Sequence, residues 1–248
     1  MKAAYFDCFS GISGDMIIGA LLDAGLDFDY LRNELKKLNL EDYEIDEKKI
    51  VKNNISATKF DIFLDNYHNK QHEERNINEI NSIIEKSSLD GNIKTKLKKI
   101  FLKIAEAEAK VHNMPVDKVH FHEIGAIDTI IDVAGAVIGL ENLGVEKVYC
   151  SKINLGSGFV EFSHGKFPVP APATAEILRG IPVYSTDSNA ELTTPTGAAI
   201  ISVLADKFGE MPEIIVEKIG YGAGEKDLKQ PNVLRVLIGK IEFSIYTS

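Results

Sequence analysis

From Val133 to Leu140 the chain carries no charge, and the surrounding stretch Gly125–Leu143 has helical spacing. A helix that is apolar on nearly every side has to be buried. Yet this one carries Asp128 and Asp132, four residues apart and therefore stacked on one side. Ionised carboxylates on an apolar helix are expensive to bury without a partner. Just upstream stands Val119-His120-Phe121-His122-Glu123. A His-x-His step on a strand points both imidazoles to one face and sends Glu123 to the other. A bound cation is the simplest partner for these acids, so His120, His122, Asp128 and Asp132 are the candidate metal ligands and catalytic residues. Imidazole suits nickel, zinc and copper, and carboxylates widen the choice. The competing reading is two structural histidines and an acid held by the helix dipole. It accounts for Asp128 better than for the deeper Asp132. No second histidine follows at the zinc-protease spacing.

The same helix carries Gly135 and Gly139 on the stripe of Asp128 and Asp132, which suits close approach by a backbone or a ligand. Around it the periodicity alternates. Ala3–Phe6 reads as a strand, Met16–Ala24 as a helix closed by Gly25, and Asp29–Leu38 as a second helix. Tyr43–Leu64 reads as two strands around Lys52-Asn53-Asn54. Polar Asn66–Asn78, with His68, His72, Glu73 and Glu74, reads as an exposed loop. Helices are expected over Ile77–Lys86 and Lys94–His112, the latter with a Glu106/Lys110 surface pair and a Glu108/His112 contact. Strands are expected over Val116–Phe121, Val145–Leu155, Ile214–Ile219 and Val233–Ile238, the last two flanking a glycine-rich Gly220–Gly224. Pro172 and Thr194-Pro195 each open a helix. This alternation predicts an α/β fold, a mixed sheet with flanking helices.

Two loops offer free amides at helix starts, where anions bind. Ser10-Gly11-Ile12-Ser13-Gly14-Asp15 follows the first strand but lacks the P-loop and dinucleotide fingerprints. It is either an anion or cation pocket, with Asp7 and Asp15 as further metal candidates, or a capped tight turn. Thr194, Thr196 and Gly197 make the second loop, which capping alone would also explain. Lys166, beside His164, could supply a cation to an anionic ligand, although such residues are usually surface groups.

A net charge of -9 argues against a nucleic-acid backbone as partner. Two cysteines, Cys8 and Cys150, cannot build a disulfide framework and fit a reducing compartment. No secretion signal and no run of roughly 18 apolar residues is apparent, so no membrane is expected and the cytoplasm is the default.

Taken in order, Asp7–Met16, Val119–Glu123, Pro168-Val169-Pro170-Ala171-Pro172-Ala173-Thr174, Thr194-Pro195-Thr196-Gly197-Ala198-Ala199 and Pro231-Asn232-Val233-Leu234-Arg235 resemble the nickel-insertion family of nickel-pincer cofactor synthesis. The resemblance covers residues 1–240 as one module, with 241–248 a tail outside the pattern. It implies insertion of Ni2+ into pyridinium-3,5-bisthiocarboxylic acid mononucleotide, a lyase-class reaction whose product serves lactate racemase and related enzymes. It also implies CTP with Mn2+ or Mg2+, bound through a C-terminal module that would be this chain's partner. A non-catalytic metallochaperone, or a scaffold half for that module, is the alternative. The family's dense histidine run is thinned here to His68-Asn69-Lys70-Gln71-His72.

Overall fold

The computed structural model describes residues 1–64, 75–121, 127–162 and 165–241. The expected loop around His68 and His72, together with His122, Glu123, His164 and residues 242–248, lies outside them.

Strand β1 (Lys2–Asp7) leads into α1 (Gly14–Asp23), and α2 (Phe28–Lys36) follows, its start capped by Asp27 accepting from the Tyr30 N–H. The hairpin β2 (Tyr43–Lys52) and β3 (Ile55–Leu64) turns at Asn53 and Asn54, both in the left-handed conformation that asparagine tolerates. Next come β4 (Arg75–Asn76), α3 (Ile77–Lys86) with a complete capping box at Asn76 and Glu79, and α4 (Gly91–His112). A short β5 (His120–Phe121) precedes α5 (Ile127–Asn142). The remaining elements are β6 (Lys147–Cys150), β7 (Ile153–Asn154), β8 (Phe159–Phe162), β9 (Gly165–Pro168), α6 (Pro172–Ile177), β10 (Val183–Tyr184), α7 (Pro195–Leu204), β11 (Lys207–Phe208), β12 (Ile215–Ala223) and β13 (Val233–Lys240).

One seven-stranded sheet runs in the order β11-β6-β1-β13-β12-β3-β2. Strands β11, β6, β1, β12 and β3 point one way, while β13 and β2 run against them, so the sheet is mixed and the α/β expectation holds. Helix α1 lies across β12, β3 and β13; α5 packs on α1; α4 packs in turn on α5, α6, α7 and α3. Phe6, Ile17, Ile18, Leu21, Phe60 and Phe101 are among the side chains this stack buries. The uncharged stretch of α5 is buried as its composition demands. Its glycines serve helix packing: a Cβ on Gly135 would lie 2.6 Å from Ile18 Cδ1, and one on Gly139 2.8 Å from Leu21 Cδ1.

Four expectations need correction. The strand expected over Val116–Phe121 is instead a 3-10 turn, Val116–Lys118, then the two residues of β5; Pro115 fixes the turn, with the Lys118 N–H donating to its carbonyl at 3.0 Å. Val145–Leu155 divides into β6 and β7, because the Ser151 N–H bonds to Phe6 and β7 leaves the sheet to pair with β10. Gly220–Gly224 is largely strand, with β12 continuing to Ala223. Gly220 and Gly222 are there because α1 passes so close: a Cβ on Gly222 would lie 2.6 Å from the Ala20 nitrogen. Lys110 pairs with Glu176 at 2.7 Å rather than with Glu106, while the Glu108–His112 contact forms at 3.4 Å. No helix among the described residues is long and apolar enough to cross a membrane.

Candidate functional site

The carboxyl ends of parallel strands are where open α/β sheets bind ligands, and here the loops that follow β1 and β12 come together with Lys59 of β3. The β1 loop is held tightly. Gly11 donates to the Cys8 carbonyl at 3.0 Å and adopts φ +81, a conformation that favours glycine. The Ile12 N–H donates to the Leu192 carbonyl at 3.0 Å, and the Thr194 N–H donates back to the Ile12 carbonyl at 3.1 Å. These bonds set the start of α1 beside the start of α7, and a Cβ on Gly197 would lie 2.7 Å from Ser13 Cα. The two helix-start loops are therefore one structure.

Their hydroxyls differ. Thr194 Oγ1 accepts from the Gly197 N–H at 3.2 Å and caps α7, as the plainer reading expected. Ser13 does not cap α1; its hydroxyl donates to Asp15. Ser10 is buried, and its Oγ accepts from Gln230 Nε2 at 3.3 Å. Thr196 is half-buried in the first turn of α7.

Below the α1 start lie the acids. Asp15 is paired with Lys59 of β3, whose Nζ is also 3.7 Å from Asp61 and 3.9 Å from Glu225. Burial pulls the Lys59 ammonium down, but the Asp15, Glu225 and Asp61 charges outweigh it and leave its pKa raised. Asp132 presses on the first residue of α1: a Cβ on Gly14 would lie 2.6 Å from Asp132 Cγ. Asp132 Oδ1 is sealed from solvent and has no hydrogen-bond partner. Burial, then the charges of Asp15 and Asp128, push this carboxyl well above the usual carboxylate range, against the pull of Lys59. Asp128 is exposed and accepts from the Thr129 N–H at 2.6 Å.

Other expected participants are placed elsewhere. Asp7 is paired with Arg235, whose Nε lies 3.1 Å from its Oδ2. Lys166 is exposed on the β8–β9 hairpin, its Nζ 5.2 Å from the centroid of the Phe159 ring. His120 contributes its backbone to β5, opposite Asn76. Among the described residues no three His, Cys, Asp or Glu side chains form a ready metal cage. Cys8 and Cys150 are buried with their sulfurs 3.5 Å apart, and burial, then the Cys150 contact, pushes the Cys8 thiol up, far from thiolate chemistry.

The structure thus unites Ser10, Gly11, Ser13, Gly14, Asp15, Asp132, Thr194 and Gly197. It adds Lys59, Glu225 and Gln230, which the sequence reading missed. One signal was available for Lys59: it is a lone charge within the otherwise uncharged run Ala57–Phe60.

Comparison with known proteins agrees with the order of motifs. The family model described as "Nickel insertion protein" matches residues 4–246. A "Putative nickel insertion protein" of Dictyoglomus thermophilum is 57% identical over 241 residues, 97% of this chain and 61% of that protein. Proteins named "Pyridinium-3,5-bisthiocarboxylic acid mononucleotide nickel insertion protein" are 49% identical in Desulfitobacterium hafniense (strain DSM 10664 / DCB-2), over 97% of this chain and 59% of that one. The corresponding protein of Acetivibrio thermocellus is 48% identical over 96% of this chain and 60% of its own length. The chain thus spans about three-fifths of the length of these curated relatives. No solved structure matches.

Proposed function

Since this chain belongs to the nickel insertion protein family, we propose that it takes up Ni2+ and inserts it into pyridinium-3,5-bisthiocarboxylic acid mononucleotide. The observation that carries this reading is the unpartnered, solvent-sealed Oδ1 of Asp132 beside Asp15, at the joined starts of α1 and α7. A buried acid without a partner is costly and marks a place prepared for a cation.

In this reading Asp132 and Asp15 hold the incoming Ni2+, with His120, His122 and Asp128 completing or exchanging ligands. The substrate's thiocarboxylates fill the open positions. Its phosphate lies on the amides of Ser10–Gly14 and Thr194–Gly197, since helix starts attract anions. The ring C–H bond breaks as the nickel–carbon bond forms. The C–H electron pair becomes the nickel–carbon bond, with nickel remaining Ni2+, and the proton goes to a carboxylate or imidazole acting as base. Nickel serves as template and Lewis acid. Asp7 and Lys166 take supporting parts at most, given their Arg235 and Phe159 contacts.

CTP with Mn2+ or Mg2+ would act through the further part of the relatives that this chain does not span. The setting is the cytoplasm, and the product would pass to nickel-pincer-dependent enzymes such as lactate racemase. A second reading is a metallochaperone that delivers nickel to that further part.

The test is direct. The chain is incubated with Ni2+ and the mononucleotide, with and without the rest of a family member, and the nickel-bearing product is read by mass spectrometry. Product that disappears with His120→Ala and His122→Ala supports insertion at this site. Nickel retention without product in either mixture supports delivery alone.

A further inference from the structure

Lys59 is an expensive residue where it stands. Its side chain is only 8% exposed, and a buried ammonium is tolerated only when paired. Its partners are unevenly matched. Asp61 already has a second cation, Lys48, at 2.7 Å. Asp15 has Lys59 as its ion-pair partner, and Glu225 is 3.9 Å away. Asp132, next to Asp15 across the Gly14 contact, keeps one oxygen without any partner. Asp15, Asp61 and Glu225 lie within 4 Å of the Lys59 ammonium and Asp132 adds a fourth carboxyl beside Gly14, against the two lysines Lys59 and Lys48, so acids outnumber cations here. That charge disfavours an anion at Lys59 and argues against its being a phosphate hook. It favours a second positive charge, and the bare Asp132 oxygen says where that charge is missing.

We propose that Lys59 is the resident counter-ion of the metal site: it holds Asp15 while the site is empty, and an incoming divalent cation bridging Asp15 and Asp132 displaces it toward Asp61 and Glu225. The inference rests on the nickel-site reading above and gives that site a gate. The displaced ammonium has somewhere to go, because both receiving carboxylates already lie within 4 Å of Nζ. A like charge a few ångströms from the metal opposes its binding. The lysine therefore keeps Asp15 in position and lowers affinity enough for the metal to be passed on. No bond is made or broken in the exchange, and only ion pairs are traded.

The experiment uses the whole chain with Ni2+ alone as probe, by equilibrium dialysis, for the native protein, Lys59→Met and Lys59→Arg. Lys59→Met keeps the stem and removes the charge. It should bind Ni2+ about tenfold more tightly than the native chain, as loss of a neighbouring like charge requires. Lys59→Arg should bind no tighter than native. Should Lys59→Met fail to fold without metal, the native chain carries the test through acetylation footprinting. Lys59 should be protected when metal-free and become reactive when Ni2+ is bound. Native metal binding with unaltered Lys59 protection, or a folded Lys59→Met of native affinity, overturns the gate and leaves the nickel site standing. Absence of Ni2+ binding in every form overturns both.

Discussion

Asp132 of α5 lies directly against Gly14, the first residue of α1, so closely that a Cβ on Gly14 would sit 2.6 Å from the Asp132 Cγ. That contact joins the apolar helix α5 to the loop that opens the site. Gly14→Ala must push Asp132 or α1 aside. It should cost about 2 kcal/mol, in the range for overpacking, and weaken nickel binding. Thermal melts and dialysis on the same preparation check both effects.

Asp132→Asn should move stability the other way. The carboxyl is raised in the folded state by burial and by Asp15 and Asp128. A group raised on folding contributes stability that is complete below its unfolded value and lost as pH rises through its folded value. As pH rises above the ordinary carboxylate range the native chain progressively loses that contribution, and the amide does not. The metal-free variant should be more stable than native by about 1–2 kcal/mol at pH 7.5, a gain typical of relieved functional sites. The difference should shrink towards pH 4. Melting curves across that interval read it.

Two glycines separate close approach from mere flexibility. Gly222→Ala would drive a Cβ to within 2.6 Å of the Ala20 nitrogen in α1, and backbone cannot step aside. A loss of about 3 kcal/mol is expected. Gly91, at the first position of α4, has nothing within 4 Å of such a Cβ. Gly91→Ala should be neutral or stabilise by about 0.5 kcal/mol. Urea unfolding of both variants gives the comparison.

Asp7 is already claimed by Arg235. Asp7→Asn should cost about 1 kcal/mol, as for a half-exposed ion pair, and leave nickel stoichiometry unchanged. A fall in bound nickel would place Asp7 among the ligands.

Much of the architecture was legible because its signals are local. Asn53-Asn54 announced a hairpin, Thr194-Pro195 a helix start, and the uncharged run of α5 a buried helix. The extent of β12 was not legible, since Gly220 and Gly222 look like loop residues until α1 is laid across them. The acids Asp15 and Asp132 were found by residue type. The lysine that pairs with Asp15 was not, because Lys59 and Asp15 are 44 residues apart and meet only through packing of β3 near the α1 start. The sequence reading supposed that a metal alone compensates the acids. The structure shows Lys59 compensating Asp15 and leaves Asp132 Oδ1 without a partner.

The most direct test of the account is nickel retained per chain after equilibrium dialysis, native against Asp132→Ala, with circular dichroism confirming that both are folded. The account predicts a single Ni2+ held by the native chain and none above background in the variant. Equal retention by the two folded proteins would contradict it.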